Sequence, residues 1–159
     1  MWVWASSSFK VDGKKLCESN AINLYLAEKF NLMGKDAEEN YQISNLLMTL
    51  DDIGKVNKEY KFCTDDSKKA DLKKKVEDCV KFFIQKFEKR YIDLGKGKYF
   101  LGERFTLADI YITAVLTNCV DSLDIKEYPW KEVGPNIEQL IKRVKENELK
   151  EFFEKYYIK

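Results

Sequence analysis

The sequence predicts a mostly α chain: a bundle of four to six helices preceded by one small β-hairpin and one helix. Three observations predict it. Every apolar stretch beyond Gly34 has helical period, Asp12-Gly13 upstream is a two-residue hairpin signal, and Thr106 to Val120 is apolar on nearly every side, as the central helix of a bundle would be.

The elements follow in order. Asp12 and Gly13 both tolerate positive φ and lie between "FKV" and "KKLC", so they join two short strands. Ser19 then stands where a helix begins and reads as its N-cap, ahead of a stripe of Ile22, Tyr25, Leu26 and Phe30; Gly34 offers that helix a left-handed stop. Asp36 with Glu39 three residues on can form a capping box for a helix carrying Ile43, Leu46, Leu47, Leu50 and Ile53. A second long helix starts near Asp66-Ser67 and carries Leu72, Val76, Cys79, Val80, Phe83, Phe87 and Tyr91 until "LGKGK" breaks it, making a long antiparallel pair with the first. The Thr106 helix follows. Pro129 and Pro135 interrupt, Ile137, Leu140, Ile141 and Val144 form another stripe, and Leu149, Phe152, Phe153 and Tyr156 a last short one.

Composition removes several function classes. The 159 residues are 45% hydrophobic with a formal charge of +1, enough for one substantial core and with no global field toward nucleic acid or anionic lipid. No apolar run is long enough to cross a bilayer, and "MWVWASSSFK" lacks the pattern of a signal peptide, so a cytoplasmic location is expected. There is no histidine, which removes the usual zinc sets and every Ser-His or Cys-His dyad. Cys17, Cys63, Cys79 and Cys119 form no C-x-x-C pair and read as free thiols, with Cys79 and Cys119 in the core. The lysines between Lys68 and Lys75 read as the solvated face of a helix.

Two motifs sharpen the reading. Glu18-Ser19-Asn20-Ala21-Ile22 follows the hairpin directly, so the amides and positive dipole end of a helix's first turn sit where an anion can be held. Thr106-x-x-Asp109 opens the most apolar helix just after Phe100-Leu101-Gly102 and reads as a structural capping box. In this order, with "TLDD" between them, the chain over residues 9–157 resembles the cytosolic glutathione S-transferases, most closely their sigma-like class.

The resemblance implies a thioredoxin-like glutathione-binding domain, here residues 1–34, and an all-helical C-terminal domain, here residues 36–159, lining the site for the electrophile. It implies that the family's first strand, first helix and second strand should precede residue 9, where only "MWVWASSS" stands. The N-terminal domain is therefore expected to be a truncated remnant without the thiol-activating tyrosine; Trp2 and Trp4 do not replace a positioned phenol. Ser7 stands where the family has a cis-proline and should take a trans bond.

Carried over to this numbering, Glu18, Ser19 and Asn20 would bind the γ-glutamyl end of glutathione, with Glu18 replacing the family's glutamine and repelling the carboxylate. Asp52 would reach the ammonium group of a glutathione bound by the neighbouring subunit of a homodimer. Met48 stands where some sigma-like members have a further acidic residue for a divalent ion, so no metal is expected. The implied activity is conjugation of the co-substrate glutathione to small electrophiles, as in detoxification, or isomerisation of a prostaglandin endoperoxide. The alternative is a non-catalytic binding or dimerisation module.

Overall fold

A computed structural model describes residues 8–123 and 130–156. Trp2, Trp4, Ser7, Pro129 and Tyr157 lie outside the described residues. Strands β1 (Ser8–Val11) and β2 (Lys14–Cys17) pair antiparallel with Val11 opposite Lys14, and the turn between them holds Asp12 at φ 49° and Gly13 at φ 76°. Two consecutive positive φ values match the right-handed twist of the strands, which is why Asp-Gly serves here.

Helix α1 (Ser19–Lys29) departs from expectation at both ends. Its N-cap is Glu18, at φ 66°, with no side-chain cap; Ser19 is the first helical residue. Its left-handed stop is Asn31, at φ 56°, where Asn31 N–H bonds the Glu28 carbonyl and Leu32 N–H bonds the Ala27 carbonyl at 2.7 Å, a Schellman closure. Gly34 has another role: a Cβ there would lie 2.3 Å from Glu39 Cβ. The expected stripe is also corrected, since Tyr25 is exposed, Phe30 is 65% exposed, and it is Ala27, with Leu24 beside it, that meets the core.

Helices α2 (Ala37–Lys61) and α3 (Asp66–Asp93) form the long antiparallel pair. Asp36 accepts the Glu39 amide at 2.9 Å, while the Glu39 carboxylate reaches back one residue further than a capping box requires, to the Lys35 amide at 2.8 Å. Ile43, Leu46, Leu47, Leu50 and Ile53 are all fully buried. On α3 the buried set is Val76, Val80, Ile84, Phe87, Glu88 and Tyr91, with Cys79 and Phe83 only partly covered. Lys68, Lys69, Lys74 and Lys75 are exposed.

Helix α4 (Leu107–Ser122) packs against α2, α3 and α6 (Pro135–Glu146), and the core lies between these four. It is not covered all round: Ala114 and Asn118, one turn apart, are exposed, so one face of the most apolar helix borders a groove. Phe100 seats the preceding turn, stacked on Tyr91 with ring centroids 6.2 Å apart. Two short helices, α5 (Trp130–Val133) and α7 (Lys150–Tyr156), bring the helical segments among the described residues to seven, and α5 has no periodic signal to read at four residues. On α7 the expected stripe does not form: Phe153 is buried while Phe152 and Tyr156 are exposed. No helix among the described residues is long and apolar enough to cross a membrane.

Candidate functional site

Three helix starts are built differently, and the difference locates the site. At α4 the buried Asp109 carboxylate accepts the Phe100 amide at 2.7 Å, the Thr106 amide at 2.9 Å and the Thr106 hydroxyl at 3.1 Å, and Leu107 N–H bonds the Leu32 carbonyl at 2.8 Å. Thr106 and Asp109 thus form a capping box tied to the turn that follows α1. Burial raises the Asp109 carboxyl pKa to about 6, with the three donors acting against that shift.

At α6 the N-cap is Gly134, which has no side chain to offer. Glu88 of α3 supplies the acceptor, taking the Asn136 amide at 3.1 Å and the Ile137 amide at 3.0 Å. A Cβ on residue 134 would lie 2.5 Å from Ile84 Cγ2, so glycine is what lets α3 come close enough. Sequence reasoning missed Glu88 because its partners lie 48 and 49 residues away.

The start of α1 is open. Glu18 gives it no side-chain bond, the first turn holds no acidic residue, and Ser19 is exposed. An α-helix leaves its first amides without intrahelical partners, and the dipole makes that end positive, so an exposed first turn is able to take an anion. A φ of 66° at a residue with a Cβ costs on the order of 1–3 kcal/mol, so the surrounding structure must hold it.

Ser19 also lines a groove of about 510 Å³ between α2 and α4. Leu50, Ala114 and Val115 give it apolar surface; Asp51, Lys58, Tyr111 and Asn118 give it polar groups. At its wall, Asn57 donates to the Asn118 side-chain amide oxygen Oδ1 at 3.2 Å and accepts from the Ser122 hydroxyl at 2.5 Å. Cys119 borders the groove too, but burial pushes its thiol up to about 12, so it stays protonated and is a poor nucleophile.

The sequence-predicted residues are distributed unevenly around this groove. Ser19 opens onto it. Asn20 is half-buried, its amide oxygen accepting from the Tyr111 hydroxyl at 3.1 Å and its nitrogen 3.6 Å from Met48 Sδ. Asp52 faces outward, its side chain 64% exposed and 3.0 Å from Lys55 Nζ, whereas Asp51 shares the groove with Ser19. Tyr111 was missed, although it is a hydroxyl-bearing ring two residues after Asp109 in an otherwise apolar run. The spacing of Ala114 and Asn118 was likewise a legible sign of an open face. No cluster of three or more acidic or cysteine side chains able to hold a metal ion occurs among the described residues.

This architecture has known relatives. The family profile described as the C-terminal domain of glutathione S-transferase matches residues 51–156. The chain is similar to glutathione S-transferase alpha-3 of Rattus norvegicus, 32% identical over 115 residues that make up 72% of this chain and 51% of that protein. It spans about half the length of the curated relatives it matches. Its fold is similar to that of prostaglandin synthase D of Nilaparvata lugens, with a TM-score of 0.75 at 24% identity over 96% of this chain and 74% of that one. It is similar as well to the sigma class glutathione transferase of Fasciola hepatica, with a TM-score of 0.77 at 20% identity over 96% of this chain and 73% of that one. At those identities the likeness to the two structures is one of fold. With a family profile matching residues 51–156 and a relative 32% identical over 72% of the chain, the chain belongs to the glutathione S-transferase family.

Proposed function

We propose that in its complete fold the protein conjugates glutathione to small electrophiles in the cytoplasm, with this chain contributing the carboxylate-binding turn and the helical wall of the electrophile site. The observation that carries the reading is that Ser19 both opens the uncapped first turn of α1 and lines the groove between α2 and α4. An anion held by the Ser19 hydroxyl and the first-turn amides would place the rest of a peptide beside an apolar surface. Glu18 next to it weakens the grip by repulsion between carboxylates. Residues 1–34 and 36–159 are the two parts of the subunit in this reading.

Chemistry needs one more group. A free thiol titrates near ~8.5, so glutathione becomes a good nucleophile at neutral pH only when a donor stabilises its thiolate. Tyr111 is unsuited to that task, since its hydroxyl is engaged with Asn20 and burial pushes its phenol up. We assign activation to a tyrosine hydroxyl of the kind the family carries on its first strand, which none of the described residues supplies. Calorimetric titration with glutathione and turnover of an aryl halide at neutral pH test the reading. The chain alone should bind weakly and turn over at close to the uncatalysed rate. A fusion carrying a sigma-like first strand, helix and second strand should gain both; a fusion that does neither overturns the assignment.

A dimerisation role is the second reading, favoured by exposed Tyr41 and Met48 seven residues apart on α2 and exposed Phe82 on α3. In a homodimer with that face covered, the outward Asp52 would be free to exchange Lys55 for the ammonium group of a glutathione on the neighbouring subunit. Sedimentation of the chain with and without a Met48→Lys change distinguishes a dimer from a monomer.

A further inference from the structure

We propose that Tyr111 is a positioning residue for the glutathione-binding turn: its hydroxyl holds Asn20, and through Asn20 the open first turn of α1, against the helical bundle. The proposal rests on the functional reading of Ser19 given above.

The first turn of α1 has little else to fix it. Within α1 only Ala27 is fully buried, near the far end, while Ser19 and Ala21 are exposed. The residue just before the turn, Glu18, sits at φ 66° without a side-chain bond. A strained junction and a turn at most half-buried keep one geometry only if something outside them imposes it. Asn20 reaches the bundle at both ends of its amide: the oxygen takes the Tyr111 hydroxyl of α4 at 3.1 Å, and the nitrogen lies 3.6 Å from Met48 Sδ of α2. The first of these is the stronger, since a thioether is a weak acceptor.

Tyr111 is suited to be the fixed end. It lies two residues beyond Asp109, whose carboxylate locks the start of α4 to Phe100 and Thr106. Its ring is half-buried in the wall of the groove, and burial pushes its phenol up, so the hydroxyl remains a donor through neutral pH. Ser19 and Asn20 are consecutive residues, so a shift of Asn20 carries the Ser19 hydroxyl and amides with it. Recognition through several donors at once is lost by displacements of about 1 Å.

The test is a double-mutant cycle in the fusion described above, which carries the full chain, read by calorimetric titration with glutathione. Tyr111→Phe and Asn20→Ala should each weaken affinity about threefold to tenfold, the range of one hydrogen bond, and the double variant should be no worse than Asn20→Ala alone. Tyr111→Phe keeps the ring, so the helical content read by far-UV circular dichroism should stay that of the wild type and the variant should still melt cooperatively. A ligand-free readout accompanies it: amide exchange of residues 19–23 should rise several-fold in Tyr111→Phe while that of α4 is unchanged. Losses that add, or an unchanged affinity together with unchanged exchange, overturn the positioning role. Wild-type glutathione binding that Ser19→Ala weakens and Tyr111→Phe does not also overturns the positioning role, and leaves the functional reading standing. If the wild-type chain and the fusion described above both fail to bind glutathione, the functional reading falls and takes this proposal with it.

Discussion

The starts of α4 and α1 use the same physical resource in opposite ways. Each presents amides that the helix itself cannot satisfy. At α4 they are consumed internally, by the Asp109 carboxylate and the Leu32 carbonyl, in a place water does not reach. At α1 they face solvent beside a groove, with a φ of 66° at the junction and no side-chain cap. The comparison teaches that a serine or threonine before a helix says where amides are free, and only its surroundings say whether they are for folding or for a ligand. It also explains why the Thr106 start needs an aspartate three residues on, whereas the Ser19 start is followed by an asparagine that reaches across to another helix.

Breaking the closed start should have the largest effect. Asp109→Ala leaves the buried Phe100 and Thr106 amides without their acceptor, and at roughly 1–3 kcal/mol for an unsatisfied buried donor the chain should lose about 3 kcal/mol of stability. Urea denaturation measures it, and a midpoint equal to wild type would mean the box is not a folding element.

The same carboxylate sets a pH dependence. Its pKa is raised by burial from 3.8 in the unfolded chain to about 6, so the folded state binds the extra proton between those values and stability from this group falls as pH rises through that window. Between pH 4 and pH 7 the contribution lost is about 2 kcal/mol. Asp109→Asn, which cannot titrate, should flatten that part of the stability profile; a slope identical to wild type would place the titrating group elsewhere.

The α6 start offers an intermediate case, since its acceptor comes from another helix. Glu88→Ala should cost about 1–2 kcal/mol, and Glu88→Gln less, because the amide oxygen still accepts one of the two backbone donors. Thermal melts of the two variants order them.

Ser19→Ala should have the smallest effect on folding, within about 0.5 kcal/mol, because Ser19 is exposed and does not cap its helix. If it weakens glutathione binding while leaving the melting temperature alone, the open start is separated from the closed one. A loss of stability comparable to that of Asp109→Ala would erase the distinction.

Much was legible from the sequence. The Asp12-Gly13 turn, the buried α2 stripe from Ile43 to Ile53 and the α6 stripe from Ile137 to Val144 follow from local conformational limits and from the period at which one helix face meets a core. Such features depend on residues within a turn or two of one another, which is the range over which sequence alone carries the physics. The site was legible only in part: Ser19 stood out as a helix start, but not as part of a groove wall.

What the tertiary structure decided involves partners far apart in the chain. Glu88 is buried and useful because Asn136 and Ile137 arrive above it, and Tyr111 faces Asn20 across 91 positions of sequence. The stop of α1 moved from Gly34 to Asn31 because Gly34 was needed where Glu39 comes close. Tyr25 and Phe30 were apolar at helical spacing and yet remain exposed, since a stripe is buried only where another element covers it. Hydrophobic period and turn chemistry are properties of the chain itself, whereas satisfied amides, raised pKa values and open grooves are properties of what packs against it, and the sequence does not name those neighbours.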